Sequence, residues 1–546
     1  MFDKKNLLWS VKDQKKNDFT SEAMKQTHQT YSGNNALKYD TSGNDFVDQF
    51  TKIGAYRQLR SYNEISSDMQ LLWSQDKLMT LKFVGYLRLI TRKVQYMDGS
   101  TTEDIQKGAG LKHESIMRML WVAVNYPQDF YNNIVTFISC GSWKDIFTML
   151  EMDLVGNNPT NLQLDWDMFM GIILAGLNNG TQRNLILKYL PQWKSRNKAT
   201  TPRSQARVVI AKKIANIMGI SQVGYRQLKS SGNAHKWQQL ISKQLFNKID
   251  FNTIHGRALM LLTDGKFLEN QNLESKYEEW IKSQPVAKFT GFPYELLAKI
   301  DNGVNKIQTY TIEKQFETLI KLAKENTNVN SKLIVVRDTS GSMTSSVRGL
   351  KNYTSDQIAK SLALFFGEML EGKFKNHWIE FNSNVQTHEF KGKTIIDKWV
   401  NDRSRAYGST NFQSVIDLFV TLKQSGVDEK EFPTGILCIS DYEFNPADIN
   451  ATNVATMKTK LSRVFSKSYV ENFKLILWNI PNNFYNKDTT FETYGNEKNV
   501  FYFGGFDGSV LGFLLGKKNE IHKKTPQNAE ELFKEAMSQE ILNTFH

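Results

Sequence analysis

The segment Leu333-Ile334-Val335-Val336-Arg337-Asp338-Thr339-Ser340-Gly341-Ser342-Met343 constrains this chain more than any other. A short aliphatic, β-branched run reads as a strand buried on both faces. The run ends by delivering Asp-x-Ser-x-Ser to the strand's C-terminal tip. One carboxylate and two hydroxyls from a single loop offer three oxygens to a hard divalent cation, and the ion keeps open positions for an outside group.

The surrounding pattern places that loop. From 313 onward, strand-like and helical segments alternate. A helix is expected over 313–325, then a strand at 332–337, a helix at 355–370 and a strand at 377–381. There follow a helix at 411–423, a strand at 435–439, a helix at 453–465 and strands at 473–480 and 500–503. Two helices, 510–515 and 529–542, close the chain. Such alternation predicts a parallel, doubly wound sheet, in which ligands bind beyond the strand C-termini near the switch in strand order.

Two further segments reach the same edge. Gly408-Ser409-Thr410-Asn411 opens a helix and brings the Thr410 hydroxyl. Ile439-Ser440-Asp441 ends a strand and brings the Asp441 carboxylate. Asp338, Ser340, Ser342, Thr410 and Asp441 form an all-oxygen set that suits Mg²⁺ or Mn²⁺ over Zn²⁺. Glu443, two residues past Asp441, is a competing carboxylate. Asp and Ser after a strand also serve as plain helix caps. Three separate segments in this order favour the metal. This part of the chain, roughly 331–515, resembles a von Willebrand factor A domain with its metal-ion-dependent adhesion site, and the resemblance implies those five residues as ligands or their immediate supports.

The preceding residues read differently. Up to about Asn44 the chain is polar, rich in Lys, Asn, Ser, Thr and Gln, and reads as a flexible or surface-wrapped arm. From 46 to 325 apolar residues recur at helical spacing, with helices expected over 77–93, 113–124, 129–137, 143–151, 166–177, 182–189, 204–218, 233–245 and 253–262. Many short helices in succession predict an irregular α-solenoid or other helical array. Three parts therefore follow: the arm at 1–45, an α-helical domain at 46–325 and an α/β domain at 331–546.

Composition narrows the setting. With 546 residues the chain exceeds one ordinary core. Two cysteines, Cys140 and Cys438, exclude a disulfide scaffold and make a reducing compartment the default. No stretch reaches the length of a membrane span, and Met1-Phe2-Asp3-Lys4-Lys5 does not open a signal peptide. The expectation is a cytoplasmic protein, or one in a particle assembled inside a cell, with no membrane partner.

Charge is unevenly spread. Of the net +13, residues 331–546 carry 26 Lys+Arg against 25 Asp+Glu, so the excess lies almost wholly before the metal motif. A basic excess attracts polyanions in a salt-dependent way. Lys194, Arg196, Lys198, Arg203, Arg207, Lys212 and Lys213 form the densest basic stretch, straddling a loop and a helix start, which is a natural phosphate site. Arg203 and Arg207 fall one turn apart. Arg88 and Arg92 form a second cluster at a helix end, where cations also offset the helix dipole. Tyr225-Arg226 suits base stacking plus phosphate pairing, or equally a packed helix pair. Trp143 reads as core.

The helical part also carries Ser139-Cys140-Gly141-Ser142-Trp143-Lys144-Asp145, Lys188-Tyr189-Leu190-Pro191 ahead of a basic segment, and Ile217 to Ser221 leading to Tyr225-Arg226. These stretches, with the order of parts, resemble the TROVE module of Ro ribonucleoproteins and their bacterial, phage and plant relatives. The resemblance implies HEAT-like repeats curving into a ring closed by the A domain. It also implies binding of single-stranded RNA ends in the ring's hole and of structured non-coding or misfolded RNA on the basic surface. The leading expectation is an RNA-binding ribonucleoprotein scaffold whose metal site takes a second ligand, an acidic protein. The alternative is a metal-dependent interaction or structural component of a particle, including a phage particle, that binds no RNA. No Walker A loop, Gly-x-Ser-x-Gly elbow or His-Glu-x-x-His is present, and an enzyme is not expected.

Overall fold

The computed structural model describes residues 28–546 except 58–59, 156–163, 195–197, 233–235, 255, 286, 288, 290, 326, 328–331, 348–349, 449–450, 481–489 and 516–524. A run of helices from Asp45 to Glu325 precedes a six-stranded sheet.

Local chemistry explains where the helices begin. Helix Tyr62–Gln75 opens on a capping box in which Ser61 and Glu64 satisfy each other's backbone amides. The sequence expectations omitted this helix although its Ser-x-x-Glu signature was present. Helix Pro202–Ile217 starts with proline at its first position and Thr201 as cap. Helices Gln222–Ser231, Glu274–Ser283 and Pro293–Leu297 were also not anticipated. The segment expected as one helix over 233–245 is helical at Lys236–Ser242 and turns into a short 3-10 segment at Phe246–Lys248.

Strands β1 (Gln29–Tyr31) and β2 (Leu37–Tyr39) form an antiparallel hairpin. This part of the expected arm is folded onto the α/β unit. Lys38 is fully buried, donates to the Tyr442 carbonyl and lies 3.4 Å from Glu492.

The main sheet uses β3 (Leu333–Asp338), β6 (His377–Phe381), β7 (Val385–Glu389), β8 (Gly435–Ser440), β9 (Lys474–Asn479) and β10 (Val500–Gly504), in the order β10-β9-β8-β3-β6-β7. A separate two-stranded ribbon, β4 (Ser346–Val347) with β5 (Leu350–Thr354), follows the Asp338 loop. Every residue of β3 and β8 is buried, as expected of central strands covered on both faces. The sheet is mixed rather than wholly parallel, because β7 returns antiparallel to β6 as an edge strand. Its sequence, Val-Gln-Thr-His-Glu, is too polar to announce a strand. Within the sheet the strand order reverses between β3 and β8, so the doubly wound crevice opens beside Asp338 and Ser440.

Both ends of the helical run touch the α/β unit. At one end, helix Asp45–Thr51 packs on β10 and on helix Ala529–Met537. The chain terminus returns there too, with His546 N donating to Asn133 at 2.9 Å and Phe545 edge-on to Phe137. At the other end, helices Pro293–Leu297 and Lys306–Glu325 pack on helix Ser355–Met369. One continuous apolar core runs from Phe46 to Phe545 across both parts, while Ile249, Phe251, Leu259, Tyr277 and Ile281 belong to a second, separate cluster.

Both cysteines are free and buried, and burial pushes the Cys140 thiol up to about 12. A thiol reagent is therefore expected to leave both unlabelled in the native protein and to label both in denaturant. Titration with Ellman's reagent checks this.

Candidate cation site at the sheet edge

β3 ends at Asp338, fully buried, and β8 ends at Ser440 with Asp441 next. Asp338 Oδ1 accepts from the Ser340 amide at 2.8 Å, and Oδ2 accepts from the Ser440 hydroxyl at 2.5 Å. The Ser340 and Ser342 hydroxyls are 3.1 Å apart, and Ser342 in turn hydrogen-bonds to Asp441. Four of the five expected residues are thus joined in one hydrogen-bonded string.

The fifth arrives on a neighbouring loop. Tyr407 N donates to the Thr339 carbonyl at 2.8 Å, and Gly341 N donates to the Gly408 carbonyl at 3.0 Å. This pairing lays the Gly408-Ser409-Thr410 turn across the Asp338 loop. Gly408 has φ +76°, and a Cβ there would lie 2.5 Å from the Ser383 hydroxyl, so the turn requires glycine. Thr410 is buried; its carbonyl accepts from the Asn445 amide at 2.8 Å and its own amide donates to the Asn445 side-chain oxygen at 3.3 Å.

The electrostatics favour a cation. Burial, and then the facing Asp441 carboxylate, raises the Asp338 carboxyl well above the ordinary carboxylate range. Burial likewise raises Asp441. The fully buried Asp338 and the half-buried Asp441 raise the cost of each other's charge, the Lys38 charge offsets part of it at Asp441, and the Ser340, Ser342 and Ser440 hydroxyls lie beside the pair. That donor set fits a small hard cation. Among the described residues no group of three or more His, Cys, Asp or Glu side chains gathers for a metal. The set rests on two carboxylates and on hydroxyls instead.

Glu443 is not turned into the set. Its carboxylate accepts from the Gly33 amide and its carbonyl from the Asn34 side chain, so the β1–β2 hairpin holds it. Tyr442, between the two acids, adopts φ +66°, a strained conformation for a bulky residue.

Residues that sequence reasoning missed support the loop from below. Ser440 stands in the Ile439-Ser440-Asp441 motif itself, yet only its partner distance reveals its part. Thr339 donates to Glu380 at 2.9 Å, and His388 Nε2 lies 2.6 Å from the other Glu380 oxygen. Burial works to raise the Glu380 carboxyl, but the His388 and Thr339 hydrogen bonds outweigh it, and the net shift is downward. No local pattern links Thr339, Glu380 and His388. They meet through β3–β6 and β6–β7 pairing.

The expected RNA-contact residues separate into three groups. Lys194, Lys198 and Lys212 are exposed and, among the described residues, their ammonium groups have no partner. Arg226 is exposed as well, 3.4 Å from the Trp193 carbonyl. Arg203 and Arg207 share a face, but each donates to one oxygen of Glu151 at 2.6 Å, so their charge is partly spent within the fold. Lys213 lies over the Trp166 ring.

The remaining assignments are corrected. Tyr225 is fully buried, donates to the Pro191 carbonyl at 2.9 Å and meets Trp193 edge-on, so it stacks on no base. Arg88 pairs with Asp145 at 2.8 Å, and Arg92 donates to the Ser139 and Gly141 carbonyls. Both arginines hold the Cys140-Gly141-Ser142-Trp143 turn, where Trp143 is buried and donates to Gln182. Their basic side chains serve structure because the turn leaves carbonyls and a buried carboxylate to satisfy. Arg196 lies outside the described residues.

Residues 332–544 match a family model described as a domain of unknown function, DUF7788. The match begins at β3 and covers the whole sheet together with the C-terminal helix, so it includes all five residues of the candidate cation set. No curated protein matches the chain. Among the described residues no helix is long and apolar enough to cross a membrane.

Proposed function

We propose that this chain is an RNA-binding scaffold of the Ro type, in which a basic helical array holds RNA and the α/β unit presents a divalent cation to a second ligand. The observation that carries the cation half is the Asp338–Asp441 pair at the strand-order switch, with Asp338 fully buried and Asp441 half-buried, set among the hydroxyls of Ser340, Ser342 and Ser440. Mg²⁺ or Mn²⁺ held by Asp338, Ser340, Ser342, Thr410 and Asp441 would supply an electrophilic centre for an anionic group of the ligand. The von Willebrand factor A reading draws support from the same strand order and from the place of the three loops.

Three features support the RNA half. The basic excess lies before residue 331. Lys194 and Lys198 stay exposed on the loop before helix Pro202–Ile217, and Lys212 stays exposed on the body of that helix. The helical run also meets the α/β unit at both of its ends, as a closed ring requires.

The test is a salt titration of RNA binding. The triple variant Lys194→Glu, Lys198→Glu, Lys212→Glu is expected to weaken binding of a structured RNA hairpin at least tenfold, and to lower the salt slope by about 3, one per lost phosphate contact. Electrophoretic mobility shifts between 50 and 200 mM KCl read both quantities. Wild-type binding that does not change with salt would remove the RNA half and leave the cation half as a protein-interaction site.

A further inference from the structure

The loop that brings Thr410 to the cation set carries a second feature. From Asp402 to Tyr407, exposure alternates residue by residue. Asp402, Ser404 and Ala406 turn inward. Asp402 accepts from the buried Arg337 at 2.8 Å and from Ser404 Oγ at 2.7 Å, and Ala406 packs on the apolar core. Arg403, Arg405 and Tyr407 turn outward. Among the described residues neither arginine makes a hydrogen bond or ion pair, and Tyr407 is 52% exposed.

The inward residues explain why the outer ones are held rather than loose. Arg337 also donates to Ser404 at 3.1 Å. Lys360 donates to the Asp402 carbonyl at 3.1 Å, and Tyr407 N is fixed to Thr339. Every second residue is therefore anchored. The outcome is a row of two forked cations and one open ring, ending one residue before the glycine turn that crosses the Asp338 loop.

We propose that this row and the adjoining cation set form one binding track for single-stranded nucleic acid. Arg403 and Arg405 hold successive backbone phosphates, Tyr407 stacks on a base, and the cation takes the next phosphate along the strand. The track rests on reading Asp338 and Asp441 as a cation site. It places nucleic acid on the α/β unit, whose net charge of about zero gives no hint of it. Arginine suits phosphate through its planar fork, and an open aromatic ring beside cations is the usual platform for unpaired bases. An acidic peptide would use the arginines and the cation but would leave the Tyr407 ring without a partner.

The experiment uses the full chain and a ten-nucleotide oligouridylate carrying a 5′-phosphate and a 3′-fluorescein, followed by anisotropy in 5 mM MgCl₂. Arg403→Glu with Arg405→Glu is expected to weaken binding at least tenfold and to lower the salt slope by about 1.4, at 0.7 per phosphate for single strands. Tyr407→Ala is expected to weaken it a further fivefold or more, while Tyr407→Phe, which keeps the ring, binds as wild type. Unchanged melting curves exclude misfolding. Oligonucleotide binding unaffected by Arg403→Glu with Arg405→Glu overturns the proposal. So does displacement of the oligonucleotide by an oligo-aspartate of equal charge at lower concentration. Asp338→Asn, followed by Mg²⁺-dependent melting without RNA, tests the cation reading separately. If that variant loses its Mg²⁺ response while the arginine variant keeps full affinity, the cation site stands and the track falls.

Discussion

Adding Mg²⁺ to chelator-treated protein is expected to raise its melting temperature by several degrees, and Asp338→Ala is expected to abolish that rise. The carboxylates of the buried Asp338 and the half-buried Asp441 face each other, and burial raises both above the ordinary range. A cation that binds only the folded state stabilises it by about 2.7 kcal/mol at a hundredfold excess over its dissociation constant. In a unit the size of residues 332–544 each kcal/mol moves the melting temperature by about 2–4 °C. The variant removes one carboxylate and its repulsion together, so it is expected to match or exceed the wild type without metal and to fall below it with metal. Differential scanning calorimetry with and without 10 mM MgCl₂ reads both comparisons. Equal Mg²⁺ responses in the two proteins would place any bound metal elsewhere.

The second large effect concerns the support of the same edge. Asp402→Ala is expected to destabilise the α/β unit by about 3 kcal/mol, because Arg337 is fully buried and would keep only Asp356 as counter-charge. The loss propagates to function, since Asp402 anchors the loop that carries Thr410. It also has a pH signature. Burial acts to raise the Asp402 carboxyl, but the Arg337 and Lys360 charges outweigh it and the folded-state value lies below the ordinary one. A depressed acid stabilises the fold fully above its unfolded value of about 3.9, and that contribution fades as pH falls through the lower folded value. Wild type is thus expected to lose stability steeply below about pH 4, and Asp402→Asn to show a shallower acid limb. Urea unfolding between pH 3 and pH 7 reads the difference. Parallel acid limbs would show that Asp402 is not held ionised by Arg337.

Much of the α/β unit was legible because its signals are local. β3 and β8 are uninterrupted apolar runs, and helix Ser355–Met369 shows a continuous buried stripe behind the Thr354–Gln357 capping box. Those elements lie within a residue or two of the expected spans. The polar edge strand β7 and the β4–β5 ribbon carry no such pattern, and were missed. In the helical part, Arg88, Arg92 and Tyr225 illustrate a different limit. Sequence identifies a basic or aromatic side chain, but it does not reveal that a turn's carbonyls or a neighbouring Pro191 oxygen will claim it. The hairpin over residues 29–39 was similarly hidden, because a polar segment docks when partners such as Glu443 and Glu492, over 400 residues away in sequence, wait to receive it.

By itself the sequence determined the order of parts, a helical array and then a doubly wound sheet, and it named the oxygens at the strand tips. Those follow from periodicity and from which atoms each residue carries. Only the tertiary structure decided which charges are spent inside the fold and which stand free. Arg337 and Arg405 are the same residue type in one unit, yet one is sealed between two carboxylates and the other faces solvent beside the Asp338 loop. The reason is physical: a charge's worth is set by its burial and its partners. Both are brought together by strand pairing and loop crossing between residues distant along the chain.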